Sequence, residues 1–330
     1  MLAKQNQRQH YMPFKYTFQI IYVLLLLTNS SFLLAQPYAF ITNQLDNSIA
    51  VVDVATNQVI KTIAVVGKPV GVAVNHRLGK VYISTPEGDG FAVIDAQSLQ
   101  QTNHVTVGGA SVGIAVSPDG QRIFVADWYE NSVSIFNSAD LELIKKLIVG
   151  KSPSGLVVSP DNRWLYVANR MDDTLSQIDL RSFKIRNTTK VGAHPFGIIL
   201  DKKGEYIYSA NVESNDVSVL SAQNLKRISR IKVGGRPYAL ALALNEKLLF
   251  VTNQDDNTVS VIDTQTLKEI SQIEVGEKPE GISTHSDDRH VYIANWFDGT
   301  VTVIDAQTLS VVETIETGDG SRAFGDFISK

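Results

Sequence analysis

His194 and Glu280 are the side chains of this sequence best suited to moving a proton. An imidazole and a carboxylate act as an acid–base pair when they meet within hydrogen-bonding reach. No nucleophile motif, histidine cluster or glycine-rich phosphate loop accompanies them. A second set offers recognition instead of reaction: Trp128, Tyr129, Arg170, Phe196, Arg236, Tyr238, Lys278, Trp296 and Arg322. Aromatic and cationic groups of this kind suit an anionic or planar small ligand, or a protein partner anchored by aromatic and Arg residues. Binding is therefore the leading function and hydrolysis or lyase chemistry the alternative. Stacking of single-stranded nucleic acid on Trp128 and Trp296 beside Arg170 and Arg236 is a third use.

Other residues that resemble chemistry have simpler work. Asp53, Asp95, Asp179, Asp263 and Asp305 recur in the pattern Asp-x-x-Thr/Ser. A carboxylate there accepts backbone N–H groups two or three residues on and closes a turn. Asp172-Asp173 and Asp255-Asp256-Asn257 lack the spacing of a calcium loop. There is no cysteine, which excludes disulfides, thiolate metal sites and covalently attached c-type haem. Neither a metal nor a cofactor is expected. Of the remaining histidines, His76, His285 and His290 fall by position on turns at the far face from His194.

The 330 residues are 44% apolar and 19% charged, a globular composition. The first 35 residues differ from the rest. Lys4, Arg8 and Lys15 precede the apolar run Ile20–Leu27, and Phe32-Leu-Leu-Ala35 ends the segment. This order reads as a signal peptide cleaved after Ala35, with Met12 as an alternative start. The expected location is the periplasm or the outside of the cell, with no membrane span after cleavage. Removal of the leader leaves 27 cationic against 34 acidic side chains. A net acidic body disfavours nucleic acid as a partner; an unidentified protein or small molecule is expected, and a monomer.

The elements that must position these groups come from a repeat. Copies begin at Ala39, Val81, Ile123, Leu165, Ile207, Leu249 and Val291, each 42 residues after the last. The second position is always aromatic (Phe40, Tyr82, Phe124, Tyr166, Tyr208, Phe250, Tyr292), and the thirty-third is always Gly or Ala. Alternation in stretches such as Thr258–Asp263 has the period of a strand. Four short strands fit each copy, and such units at this spacing build a β-propeller. The expected fold is all-β: seven four-stranded antiparallel blades in one domain over 36–330, the ring closed by the C-terminal strand completing the N-terminal blade.

Tyr292-Ile-Ala-Asn295, Phe250-Val-Thr-Asn253, Val261-Ile-Asp-x-x-Thr266 and Val275-Gly-x-x-Pro279 resemble the YVTN family of β-propeller repeats. The resemblance covers 38–328 and implies bacterial periplasmic or surface-layer-like scaffolds of mixed function. Propellers similar to lactonases or lyases would give His194 and Glu280 their role at a channel mouth.

Function is sought where the copies differ. The residue just inside the first strand reads Val70, Val112, Ser154, Phe196, Tyr238, Glu280, Arg322, and two positions earlier Lys68, Ala110, Ser152, His194, Arg236, Lys278, Gly320. Because strand direction alternates, these and the second-to-third turns share one rim of the channel. Trp128, Arg236, Tyr238, Trp296 and Arg322 are expected to be dispensable for folding.

Overall fold

Stretches such as Ser48–Asp53 and Thr258–Asp263 are buried along almost their whole length. Their sheets are packed on both faces, so Val, Ile and Ala fill both sides of the strand. The fourth strands differ. Lys268–Glu274 and Ser310–Glu316 stand at the outer edge and expose nearly every residue, their charges discouraging further strand addition. The computed structural model describes residues 37–329 and, before them, Met1 alone. The expected signal peptide therefore lies outside the described residues. Among the described residues no helix is long and apolar enough to cross a membrane.

Seven blades surround an axis, numbered here along the chain. Blade 1 uses Tyr38–Asn43, Ser48–Asp53 and Gln58–Ala64; blades 2 to 7 each contribute four strands within 71–106, 111–148, 153–190, 195–232, 237–274 and 279–316. Within each blade the strands pair antiparallel in sequence order. The chain's last segment supplies the missing inner strand of blade 1, through antiparallel bridges Asn43↔Ser321 and Ala39↔Ile328. Between those bridges Phe324–Asp326 also pairs in parallel with the inner strand of blade 2, Gly71–Asn75. The closing strand is thus shared by the two blades on either side of the chain ends.

The repeated aromatics are buried in all seven copies. Two reach the neighbouring blade directly: Tyr166 donates its hydroxyl to the Ala222 carbonyl (2.9 Å), and Tyr292 donates to Asn57 Oδ1 (2.6 Å) across the seam between blades 7 and 1. The repeated Asp residues close turns as expected, Asp179 Oδ1 accepting the N–H groups of Arg181 (2.8 Å) and Ser182 (3.0 Å).

The repeated small residue answers to close approach of inner strands at the axis. A Cβ added at Gly113 would stand 1.8 Å from the Ser154 carbonyl oxygen of the next blade. Gly113→Ala is expected to cost about 1–3 kcal/mol by overpacking, read as a lower midpoint in urea. An unchanged midpoint would contradict the tight spacing.

Candidate functional site

The inner strands of blades 3 to 7 each carry one extra residue near the start. In blade 4 Pro153 pairs with Asn169 and Leu156 with Val167, so three steps on one strand match two on its partner. Blades 3, 5, 6 and 7 repeat this bulge. A bulge re-aims a side chain, and here the re-aimed residue is the variable one inside the first strand. Those residues converge on the axis and fill it. Phe196 and Tyr238 lie with ring centroids 4.0 Å apart, and Phe324 is 4.8 Å from Phe196. Val70 and Val112 join the same cluster, and Ser154 donates to the Phe196 carbonyl (3.2 Å).

Against the aromatic cluster sits a charged pair. Arg322 Nε is 2.5 Å from Glu280 Oε2. Arg322 also donates to the Tyr238 hydroxyl (2.6 Å) and to Gln44 Oε1 (3.0 Å), an oxygen that Trp296 Nε1 shares (3.1 Å). Gln254 donates to Glu280 Oε1 (2.7 Å). Burial raises the Glu280 carboxyl above its ordinary value, while Arg322 and Gln254 oppose the rise. Burial alone would lower Arg322, but Glu280 and Tyr238 hold it above the ordinary guanidinium range. Burial likewise pushes the Tyr238 phenol up. The channel is thus plugged at this end; toward the opposite face a largely apolar cavity of about 440 Å³ remains, with Lys202, Glu246 and Asp326 in its lining.

The second-to-third turns surround the plug and split into two positions. The first after the buried Asn, Asp or (in blade 2) Thr reads Gln44, Pro86, Trp128, Arg170, Val212, Gln254, Trp296. Several of these residues pack on the plug: Trp128 meets Phe196 edge-to-face at 6.1 Å, and Arg170 lies over Trp128 at 5.4 Å. The next position reads Leu45, Glu87, Tyr129, Met171, Glu213, Asp255, Phe297. Four of these are apolar, and they are 51% (Leu45), 78% (Tyr129), 52% (Met171) and 67% (Phe297) exposed.

Backbone hydrogen bonds fix this platform. Trp128 N–H donates to Ala110 O (3.1 Å) and Trp296 N–H to Lys278 O (2.9 Å); Met171 N–H donates to Lys151 O (3.1 Å), Phe297 N–H to Glu277 O (3.2 Å) and Leu45 N–H to Asp319 O (3.1 Å). The Tyr129 N–H instead finds Asp127 Oδ1 (3.0 Å), a buried carboxylate that also accepts from Ala110 and Glu130. Residues two places before the plug position take left-handed backbone, among them Lys68, Ser152, His194, Arg236 and Lys278. Each has its N–H capped by the side chain closing the adjacent turn, as Lys278 by Asn257 Oδ1 (2.9 Å).

The cations of the rim are mostly engaged. An alternating arc crosses blades 5 to 7: His194 Nδ1 is 3.9 Å from Glu213, Glu213 is 2.9 Å from Arg236 NH1, Arg236 Nε is 3.8 Å from Asp255, and Asp255 is 2.9 Å from Lys278. These half-exposed pairs contribute at most about 1 kcal/mol each, yet they neutralise the charges that an anion would need. His194 faces Glu213, and Glu280 faces Arg322, so the acid–base pair expected of His194 and Glu280 is not formed.

Of the residues singled out in the sequence, Phe196, Tyr238 and Arg322 build the plug, Trp128 and Trp296 buttress it, and Arg170, Arg236, Lys278 and Tyr129 reach the surface. The expected dispensability of Tyr238 and Arg322 does not suit their place, because each packs or pairs at the centre of the ring. Sequence reasoning passed over Leu45 and did not separate the inward from the outward turn position. Aligning the seven copies at that second position alone shows the apolar set.

The fold is widely shared. With 21% identity, the chain is similar to Kuenenia stuttgartiensis hydrazine synthase over 81% of its own length and 91% of that chain (TM-score 0.75). A functionally unknown protein from Desulfotomaculum acetoxidans aligns at 14% identity over 87% of this chain and 99% of that one (TM-score 0.76). Dihydro-heme d1 dehydrogenase NirN, in complex with DHE, aligns at 17% identity over 87% and 74% (TM-score 0.67). No curated protein matches the sequence significantly. The family model of the YNCE-like β-propellers spans residues 26–325, nearly the whole ring described above, and the chain belongs to that family.

Proposed function

We propose that this protein is an exported, non-catalytic β-propeller that recognises a protein partner with the rim of second-to-third turns. The observation that carries this reading is the outward turn position, where Leu45, Tyr129, Met171 and Phe297 stand in solvent on hydrogen-bonded turns of blades 1, 3, 4 and 7. Exposed apolar side chains grouped on one face mark interaction surfaces. Holding them on rigid backbone lowers the ordering cost of binding. Paired rim cations and a filled axis favour a partner that lies across the rim over an anion that enters the channel. Export rests on the basic start and apolar run within residues 1–35, and the single domain over 36–330 would be the working form.

Tyr129→Ala, Met171→Ala and Phe297→Ala are each expected to change stability by less than about 0.5 kcal/mol, as exposed substitutions do. Tyr129→Ala and Phe297→Ala should each weaken capture of the envelope partner by about tenfold or more. Quantitative capture from the native envelope, with melting curves as a folding control, checks both. Undiminished capture by the doubly substituted protein would contradict the proposal.

A further inference from the structure

The hairpin turn of blade 7 that joins Pro279–Thr284 to His290–Asn295 lies on the face opposite the rim and reads His285-Ser-Asp-Asp-Arg-His290. We propose that His285, Asp287 and His290 form a binding site for a divalent late transition-metal ion of the Zn2+, Ni2+ or Cu2+ class. One ligand atom from each of the three lies within 4.8 Å of the others. His285 Nδ1 is 3.1 Å and His290 Nδ1 2.6 Å from the same oxygen, Asp287 Oδ2. The turn is set by its backbone: His285 N–H donates to His290 O (2.8 Å) and Asp288 N–H to His285 O (2.9 Å).

Two imidazoles and one carboxylate suit late transition ions, whereas Mg2+ and Ca2+ need oxygen ligands. The electrostatics agree. A lone pair on His285 Nδ1, which the Asp287 N–H approaches at 3.3 Å, would face Asp287 Oδ2 at 3.1 Å. That arrangement is repulsive unless a cation or a proton stands between the two groups. Neighbouring charges are turned elsewhere. Arg289 pairs with Asp305 (2.5 Å), and Asp288 faces Lys202 (3.8 Å) and the Asn245 N–H. Ligand atoms around a tetrahedral ion with bonds of about 2.1 Å stand about 3.4 Å apart. The separations from Asp287 Oδ2, 3.1 Å and 2.6 Å, fall short of this by less than about 1 Å, and the partly exposed His290 can widen the shorter one by swinging outward. Three protein ligands leave the remaining positions to water, so the site is open.

The turn also joins blades. Leu244 N–H of blade 6 donates to Asp288 O (2.9 Å), and Tyr292, whose ring lies 6.4 Å from that of His285, bonds Asn57 of blade 1. An ion here would therefore brace blade 7 near the seam, and binding to the folded state alone raises the melting temperature.

The test is calorimetric titration of the untagged protein with Zn2+ and Ni2+, with Ca2+ and Mg2+ as controls. One equivalent of Zn2+ or Ni2+ is expected, with none of Ca2+ or Mg2+, and an upward shift in melting temperature. Asp287→Asn and His290→Ala should each weaken binding at least about tenfold, as loss of a group that merely orients a metal ligand already does, and abolish the thermal shift. His76→Ala, on another turn of the same face, should change neither. Metal-free melting curves establish that the variants fold, and Asp287→Asn alone suffices if His290→Ala does not. Absence of stoichiometric binding, or equal affinity in wild type and Asp287→Asn, would overturn the site and leave a proton-bridged turn.

Discussion

Removing residues 321–329 is expected to abolish cooperative folding of the whole ring, not merely to fray one blade. The segment provides Phe324, Phe327 and Ile328, all buried. Truncating a buried side chain of this size costs about 2–5 kcal/mol, so the three together approach the roughly 5–15 kcal/mol that holds a typical domain. Backbone bonds go as well: Phe40 N–H to Phe327 O (2.9 Å), Arg322 N–H to Thr42 O (2.8 Å) and Ser329 N–H to Tyr38 O (2.8 Å). Their loss exposes the inner edges of blades 1 and 2 together. Thermal unfolding followed by circular dichroism checks the expectation. A melting temperature unchanged by the deletion would show that the ring closes elsewhere.

Arg322→Ala has the second large effect, about 3–5 kcal/mol near neutral pH, because it leaves the Glu280 carboxylate buried without its partner. The pH dependence follows from the direction of the Glu280 shift. The folded-state value lies above the ordinary 4.5 because burial disfavours the charged form. In the window above 4.5 the folded protein therefore binds more protons than the unfolded chain, and this group's contribution to stability falls as pH rises through that window. Without Arg322 the shift grows and the window extends upward. The deficit of Arg322→Ala should be largest near about pH 7.5 and shrink toward about pH 5. Adding Glu280→Gln should restore much of the loss and flatten the profile. Urea unfolding at both pH values measures this, and a pH-independent deficit would contradict a buried unpaired carboxylate.

The architecture was legible because propeller geometry is written by repetition. The aromatic second position, the small thirty-third and the turn Asp each meet a need that recurs identically in every blade. Closure by the last strand followed from phase alone, although its parallel pairing with blade 2 did not, since parallel contact leaves no periodic mark. The site was less legible. Phe196, Tyr238, Glu280 and Arg322 occupy a position that varies between copies, and in sequence such variation at the axis reads as openness to a ligand. Seven dissimilar side chains can instead pack one irregular plug, and sequence cannot separate these outcomes because both need the residues to converge. Glu280 was matched to His194 by chemical type, whereas its actual partner, Arg322, lies on the adjacent inner strand. His285, Asp287 and His290 carry no signal as single residues of the sequence; only the tight turn between two strands brings them together.

The central claim is that the outward turn position recognises a partner while the converging residues build the ring. Site-specific photo-crosslinking tests it most directly. A photoreactive amino acid is placed in turn at Tyr129, Phe297 and, on the opposite face, the exposed Tyr206, and the protein is irradiated in its native envelope. A discrete crosslinked species from Tyr129 and Phe297, absent from Tyr206, is the expected result. Crosslinking from Tyr206 that equals or exceeds that from the rim would contradict the claim.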